Sequence, residues 1–156
     1  MTGVHALFNG EGATETLIQL PSDGVRMQVQ DFREVAVPGS RLHRLMLRYM
    51  QALWLTAAQG AACNRLHPME ERCARWLLMT QDRAMADEFP MTHEFMSYML
   101  GTRRATVTMA AGILQHAGLI RYARGCMAVL DRAGLEGASC ECYTVMRTTL
   151  DGVVAH

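Results

Sequence analysis

Residues 91–120, MTHEFMSYMLGTRRATVTMAAGILQHAGLI, constrain the fold more than any other stretch of this chain. Thr92 is a good helix N-cap, because its hydroxyl can accept a free backbone N–H. Met96, Met99 and Leu100 fall on one face of the helix that follows, and Ser97 is small enough for a second helix to cross closely. Gly101 stands where the chain must turn sharply, and a positive φ is cheap only for glycine. Thr102 is placed to cap a second helix, with Val107, Ala110, Ala111 and Leu114 facing inward and Gly118 ending it. The pattern predicts a short helix, a tight turn and a second helix with Arg103 and Arg104 at its start. That geometry sets a helix end into the major groove of DNA. An αα-hairpin buried in a core is the other use of the same pattern.

The distribution of charge favours the first use. The 156 residues carry 15 basic and 15 acidic side chains, so the chain as a whole is neutral. Between Phe95 and Leu130 there is no Asp or Glu, whereas Arg103, Arg104, Arg121 and Arg124 all lie there. A face built from this segment would be locally basic, as phosphate binding requires. Every basic residue is Arg and none is Lys, which carries no mechanism by itself. From Leu119 to Leu130, two short apolar runs flank Arg124-Gly125 and predict a β-hairpin. A hairpin after a helix-turn-helix is a wing, whose tip approaches the DNA backbone.

The phrases MTHEFMSYMLGTRRATV, LQHAGLIRYARG and AVLDRAGLE carry a resemblance. Residues 64–136 resemble the C-terminal DNA-binding domain of the Crp–Fnr superfamily of bacterial transcription regulators. The resemblance implies a long dimerisation helix upstream and, before it, a β-barrel sensor domain that often binds a cyclic nucleotide. It also implies the roles of single residues. Arg104 stands at the family's first base-reading arginine. Ala105 stands where better-known members carry Glu, and Met109 where they carry a second Arg. The groove-facing set is then Arg104, Ala105, Thr108, Met109 and Gly112. Arg104 is expected on guanine, with apolar contacts from Ala105 and Met109 to thymine methyls. Thr92, Thr102, Arg103 and Arg124 complete the expected DNA contacts, with Thr92 and Arg124 on phosphates.

Upstream, Ser40–Cys63 holds no Pro and a single Gly. Leu42, Met46, Tyr49, Leu53, Thr56, Gly60 and Cys63 are spaced alternately four and three apart. This is a heptad seam, expected to pair with a twin helix, or alternatively to pack on the chain's own core. Pro38-Gly39 marks its start, with Ser40 as N-cap. A further helix is expected over 64–80, with Pro68 in its first turn and Met69, Cys73, Trp76 and Leu77 buried. Residues 81–91 read as a polar connection. Residues 16–20 and 25–29 read as two strands, and Asp31–Glu34 as a helical turn. About thirty residues cannot close a barrel, so the chain reads as a regulator lacking most of its sensor domain, as a fragment or a short variant. The expected organisation is a β-barrel remnant at 1–38, a dimerisation helix at 39–63, a winged helix-turn-helix at 64–136 and an extension at 137–156. The fold class is mainly α with a small β component.

No cofactor is expected. Gly10-Glu11 has no Arg-Ser or Arg-Thr after it to hold a cyclic nucleotide phosphate, and the N-terminal cysteine cluster of iron–sulfur members is missing. The five cysteines are an odd number, in a chain with no signal peptide and no membrane-spanning apolar run, which suits a reducing cytoplasm. Cys140 and Cys142, with His67 or with Cys63 and Cys73, form only a weak metal motif, because structural zinc prefers CxxC-type pairs. No metal site is therefore expected, and Cys73 is assigned to the core. Asn64–Pro68 is expected to break the helix between Cys63 and His67. GxSxG, P-loop and HExxH motifs are absent, so no enzyme is expected. Thirteen Met suit an adaptable core. The function expected is a cytoplasmic, homodimeric, sequence-specific transcription regulator, with double-stranded DNA, its own twin and RNA polymerase as partners. The alternative is a truncated dimerisation module that sequesters a full-length partner without binding DNA.

Overall fold

The computed structural model describes residues 17–154. The segment before the first helix departs from expectation. Residues 17–28 contain no strand, and the expected strand start at Thr16 lies outside the described residues. The side chains alternate suitably, but among the described residues no neighbouring strand takes up their N–H and C=O groups, and an isolated pair of strands is marginal in water. Leu17, Ile18, Val25 and Met27 are accordingly exposed. Val29–Val35 forms a short helix, α1, in place of the second strand's end, and it includes the helical turn expected at Asp31–Glu34.

Helix α2, Arg41–Leu66, begins where the sequence places it, with Ser40 Oγ accepting from the His43 N–H at 3.1 Å. It ends three residues later than expected. Pro68 disfavours helical geometry only in its predecessor, so His67 is extended while Leu66 is still helical. Helix α3, Met69–Ala84, follows with Pro68 as N-cap and Glu70 and Glu71 in its first turn. Its buried surface is wider than the expected stripe and includes Cys73, Ala74, Trp76, Leu77 and Leu78. This helix is the centre of the core. Helices α4 (His93–Leu100) and α5 (Arg104–His116) bring Met96, Leu100, Val107, Ala110, Ala111 and Leu114 into the same core.

A three-stranded antiparallel sheet closes the other side, in the order β1 (Glu88–Pro90), β3 (Cys126–Val129), β2 (Ile120–Ala123). The β2–β3 hairpin is the expected wing, in register Ile120↔Val129 to Ala123↔Cys126. β1 lies in the stretch expected to be a connection. Three residues show no alternation of their own, and Phe89 is held through its pairing opposite Met127. Helix α6, Arg132–Gly137, is capped by Asp131, whose Oδ1 accepts from the Gly134 N–H at 2.9 Å. The expected boundary at residue 136 therefore falls inside a helix.

Helix α7, Cys142–Val154, alters the reading of α2. It runs antiparallel along it: Gln59 Nε2 donates to Cys142 Sγ at 3.1 Å, and Arg48 donates to the Gly152 carbonyl. A Cβ added to Gly60 would lie 3.7 Å from Met146 Cε. Met46 is 2% exposed and Cys63 fully buried within the single chain, whereas Leu42, Tyr49, Leu53 and Thr56 are half-buried. The expected dimer seam is thus covered in part by this chain itself at Met46, Gly60 and Cys63. An amphipathic stripe buries against whichever apolar face reaches it, and α7 reaches its far end. A neighbouring face of α2 stays open: Leu47 and Trp54 are exposed, Trp54 to 74%.

Candidate nucleic-acid interface

The helix-turn-helix forms from local signals. Thr92 Oγ1 accepts from the Phe95 N–H at 3.1 Å and opens α4. Gly101, at φ +61°, closes it, and the Thr102 N–H returns to the Ser97 carbonyl at 3.0 Å. This closure sets the start of α5 one residue beyond the expected cap. Arg103 is the N-cap, with an extended ψ and no side-chain cap, and Thr102 serves the turn rather than capping α5. Arg72 of α3 donates to the Leu100 carbonyl at 2.6 Å and satisfies a free carbonyl at the end of α4.

The outer face of α5 carries Arg104, Ala105, Thr108, Met109, Gly112 and Ile113, all exposed, with Arg103 beside them. Met109 is 65% exposed. Thr108 is held from two sides. Its Oγ1 donates to the Arg104 carbonyl at 3.0 Å and lies 3.0 Å from His93 Nδ1. The hydroxyl has one proton, so His93 Nδ1–H must be the donor in the second contact. Thr108 then has no proton left to donate to an outside partner, and offers its methyl and one acceptor lone pair. The His93 ring also stacks on Tyr122 of β2, with centroids 4.0 Å apart. Burial first, then the charge of Arg104, holds the His93 pKa below its usual value. His93 and Tyr122 thus tie α4, α5 and the wing together. Neither was singled out by sequence reading, since a lone His and a strand Tyr carry no spacing signal.

The wing turn takes positive φ at both Arg124 (+50°) and Gly125 (+79°), which suits the twist of a two-residue hairpin turn. The Gly125 carbonyl accepts from the Met91 N–H at 2.8 Å, and an added Cβ there would lie 3.9 Å from Thr92 Cγ2. Thr92 and the wing tip are therefore neighbours, on the same side of the domain. Arg121 lies 3.6 Å from Glu88 of β1, so part of the basic window is offset by an acid from outside it. Among the described residues no ion pair involves Arg103, Arg104 or Arg124.

A second cluster lies at the far end of α2. Cys63 and His67 sit one turn apart, because α2 continues to Leu66 and the expected helix break does not separate them. They meet Cys140 and Cys142 from the α6–α7 junction, and the four ligand-type atoms all lie within 4.8 Å of one another. Cys63 Sγ is 3.6 Å from Cys140 Sγ, and Cys142 Sγ is 3.6 Å from His67 Nδ1. His67 Nε2 faces Glu141 Oε1 at 3.2 Å. Burial raises the Cys63 pKa and pushes that of Cys140 up to about 12. Cys73 is buried in the main core, as expected, and Cys126 lies on β3, its thiol 3.3 Å from the Phe89 carbonyl. Neither joins the cluster.

Residues 71–138 match the Crp-like helix-turn-helix domain. No curated protein matches the chain significantly. Among solved structures, the chain is similar to a transcriptional regulator assigned to the Crp/Fnr family from Eubacterium rectale, at 23% identity and a TM-score of 0.50. That match covers 70% of this chain and 45% of the other. It is also similar to the catabolite activator protein of Thermus thermophilus, at 24% identity and a TM-score of 0.42, over 67% of this chain and 44% of that one. The chain therefore spans less than half the length of these two proteins. The matched segment, residues 71–138, is thus a Crp-like helix-turn-helix domain. Among the described residues, no helix is long and apolar enough to cross a membrane.

Proposed function

We propose that this chain is a sequence-specific DNA-binding transcription regulator that acts as a homodimer in the cytoplasm. The observation that carries the reading is the surface at the start of α5. Arg103 and Arg104 stand exposed and, among the described residues, without ion pairs, beside a wing whose tip, Arg124, neighbours Thr92. In this reading Arg104, Ala105 and Met109 reach base edges, Arg104 on guanine and the other two on thymine methyls. Thr108 contributes its methyl and can only accept through its hydroxyl, whose proton goes to the Arg104 carbonyl. Arg103, Arg124, Thr92 and Thr102 fall to the phosphates, which position the domain without specifying sequence.

Dimerisation runs along α2, but on the face that a single chain leaves open. Leu47, Met50, Trp54, Ala57 and Ala61 are spaced three and four apart. All but the half-buried Met50 are exposed. They form a second heptad stripe, turned about 100° around the helix from the one that α7 partly covers. Two copies paired there would present two α5 helices to successive major grooves, about 34 Å apart on a pseudo-palindrome.

The test is selection of bound sequences from a random DNA pool, followed by sedimentation of the protein with and without the selected site. A two-fold symmetric site bound by two chains is expected. A chain that dimerises yet enriches no DNA would be a sequestering module, and the proposal would fall.

A further inference from the structure

We infer that Cys63, His67, Cys140 and Cys142 form a closed mononuclear zinc site that fastens α7 to the end of α2. Three thiolates and one imidazole are a common ligand set for structural zinc, and soft sulfur donors select it over hard cations. The spacing fits. With Zn–S near 2.3 Å and Zn–N near 2.05 Å, a tetrahedral ion sets its ligands about 3.8 Å (S to S) and about 3.6 Å (S to N) apart. The structure has Cys63 and Cys140 sulfurs 3.6 Å apart, and Cys142 sulfur 3.6 Å from His67 Nδ1. Ligand atoms this close surround one ion rather than a multi-iron cluster. The Cys63–Cys140 separation also exceeds an S–S bond of about 2.05 Å.

Two surrounding groups support the same assignment. Glu141 faces His67 Nε2 at 3.2 Å. A carboxylate there fixes the proton on Nε2 and leaves the Nδ1 lone pair toward the sulfurs, the outer-shell arrangement usual for metal-bound histidine. Arg75 is only 7% exposed, its Nε has no hydrogen-bond partner among the described residues, and its guanidinium meets the thioethers of Met79 and Met146 at 3.5 and 3.3 Å. Among the described residues it forms no ion pair. A buried cation of this kind is costly unless a negative charge lies near it. Zinc binding displaces three thiol protons to solvent, and Zn²⁺ with three thiolates and neutral His67 carries one net negative charge. Arg75, whose field bears on Cys63, supplies the opposite charge.

The experiment is metal analysis of the full chain, expressed in zinc-containing medium and purified under reducing conditions. About one zinc per chain is expected, with cobalt substitution giving the visible bands of a tetrahedral thiolate site. The double variant C140S/C142S should lose zinc at least roughly tenfold, Cys126→Ser should keep it, and Glu141→Gln should weaken zinc affinity about tenfold. Should the double variant fail to fold, Cys142→His preserves a four-ligand set and is expected to hold stoichiometric zinc with a shifted cobalt spectrum. A folded, reduced wild-type chain that takes up neither zinc nor cobalt overturns the inference. So does a Cys63–Cys140 disulfide in the wild type, or unchanged zinc in C140S/C142S.

Discussion

Replacing Arg104 and Arg124 one at a time separates base reading from anchoring. Arg104 opens α5, is exposed, and among the described residues has no acidic partner to release when it meets DNA. A bidentate contact to guanine is worth about 1–3 kcal/mol. Over two half-sites, Arg104→Ala should cost about 2–6 kcal/mol, or roughly 30-fold to 10⁴-fold in affinity for the selected site. On scrambled DNA the loss should be small. The folded state should not suffer, because a cation at a helix N-terminus opposes the helix dipole by about 0.3–1 kcal/mol. A lowered melting temperature is therefore not expected. Arg124→Ala should behave in the opposite way, weakening both DNAs alike and reducing the salt slope by about one unit per wing. Fluorescence anisotropy on the two DNAs at two salt concentrations reads all of these quantities. If Arg104→Ala weakens matched and scrambled DNA equally, Arg104 is a phosphate clamp and the base-reading assignment is wrong.

Three other perturbations follow from particular contacts. Trp54→Asp alters a side chain that the single chain leaves open, so it should yield stable monomers by sedimentation, whereas an unaltered dimer would move the interface elsewhere. Tyr143→Phe removes a buried hydroxyl that accepts from Arg132 at 2.6 Å and Arg147 at 3.2 Å and donates to Asp82 at 2.9 Å. Arg132 and Asp82 still pair at 2.7 Å without it, so urea unfolding should show a loss of about 1–2 kcal/mol, and a change under about 0.5 kcal/mol would refute the network. His93, faced by Arg104, Thr108 and the Tyr122 ring, has a folded pKa below its unfolded value. The unfolded chain therefore takes up that proton first, and stability is lost as pH falls from about 6.5 through the folded pKa. His93→Phe keeps the ring stack and should flatten stability across that window, and an unchanged pH slope would exclude His93 as the source.

The helix-turn-helix was legible because each of its determinants is local. Thr92, Gly101 and two helical stripes act within a turn or two of themselves, and Met96, Leu100, Val107, Ala110, Ala111 and Leu114 are all buried. The wing was legible for the same reason. Failures arose where the deciding partner is remote. Residues 17–28 alternate like strands but have no ladder partner among the described residues, while Glu88–Pro90 lacks a pattern and pairs through β3. The α2 stripe was correctly seen as apolar. Periodicity identifies a face to be covered, not whether α7 or a twin covers it. The four residues of the cluster are named in the sequence but set aside as a weak motif, because one misplaced boundary parts Cys63 from His67 and Cys140 lies 77 positions beyond Cys63.

Helix α3 stands between the zinc cluster and the DNA-facing surface, and its contacts indicate which part loosens first when the metal is lost. Toward α7 it offers Arg75 and Asp82, whose partners Met146 and Tyr143 depend on α7 staying in place. Toward α4 and α5 it offers Leu77 and Leu78, in a core shared with Met96, Val107 and Leu114, together with the bond from Arg72 to the Leu100 carbonyl. The second set does not include any of the four cluster residues. On the zinc assignment, chelation should therefore release α7 while α5 keeps its packing. Hydrogen exchange before and after chelation is expected to show protection falling at least about tenfold across 145–153 and little change across 107–114. Equal loss in both segments would mean that the two helices unfold as one unit and that the metal supports the whole domain. No loss in either would mean that α7 is held by its apolar face alone.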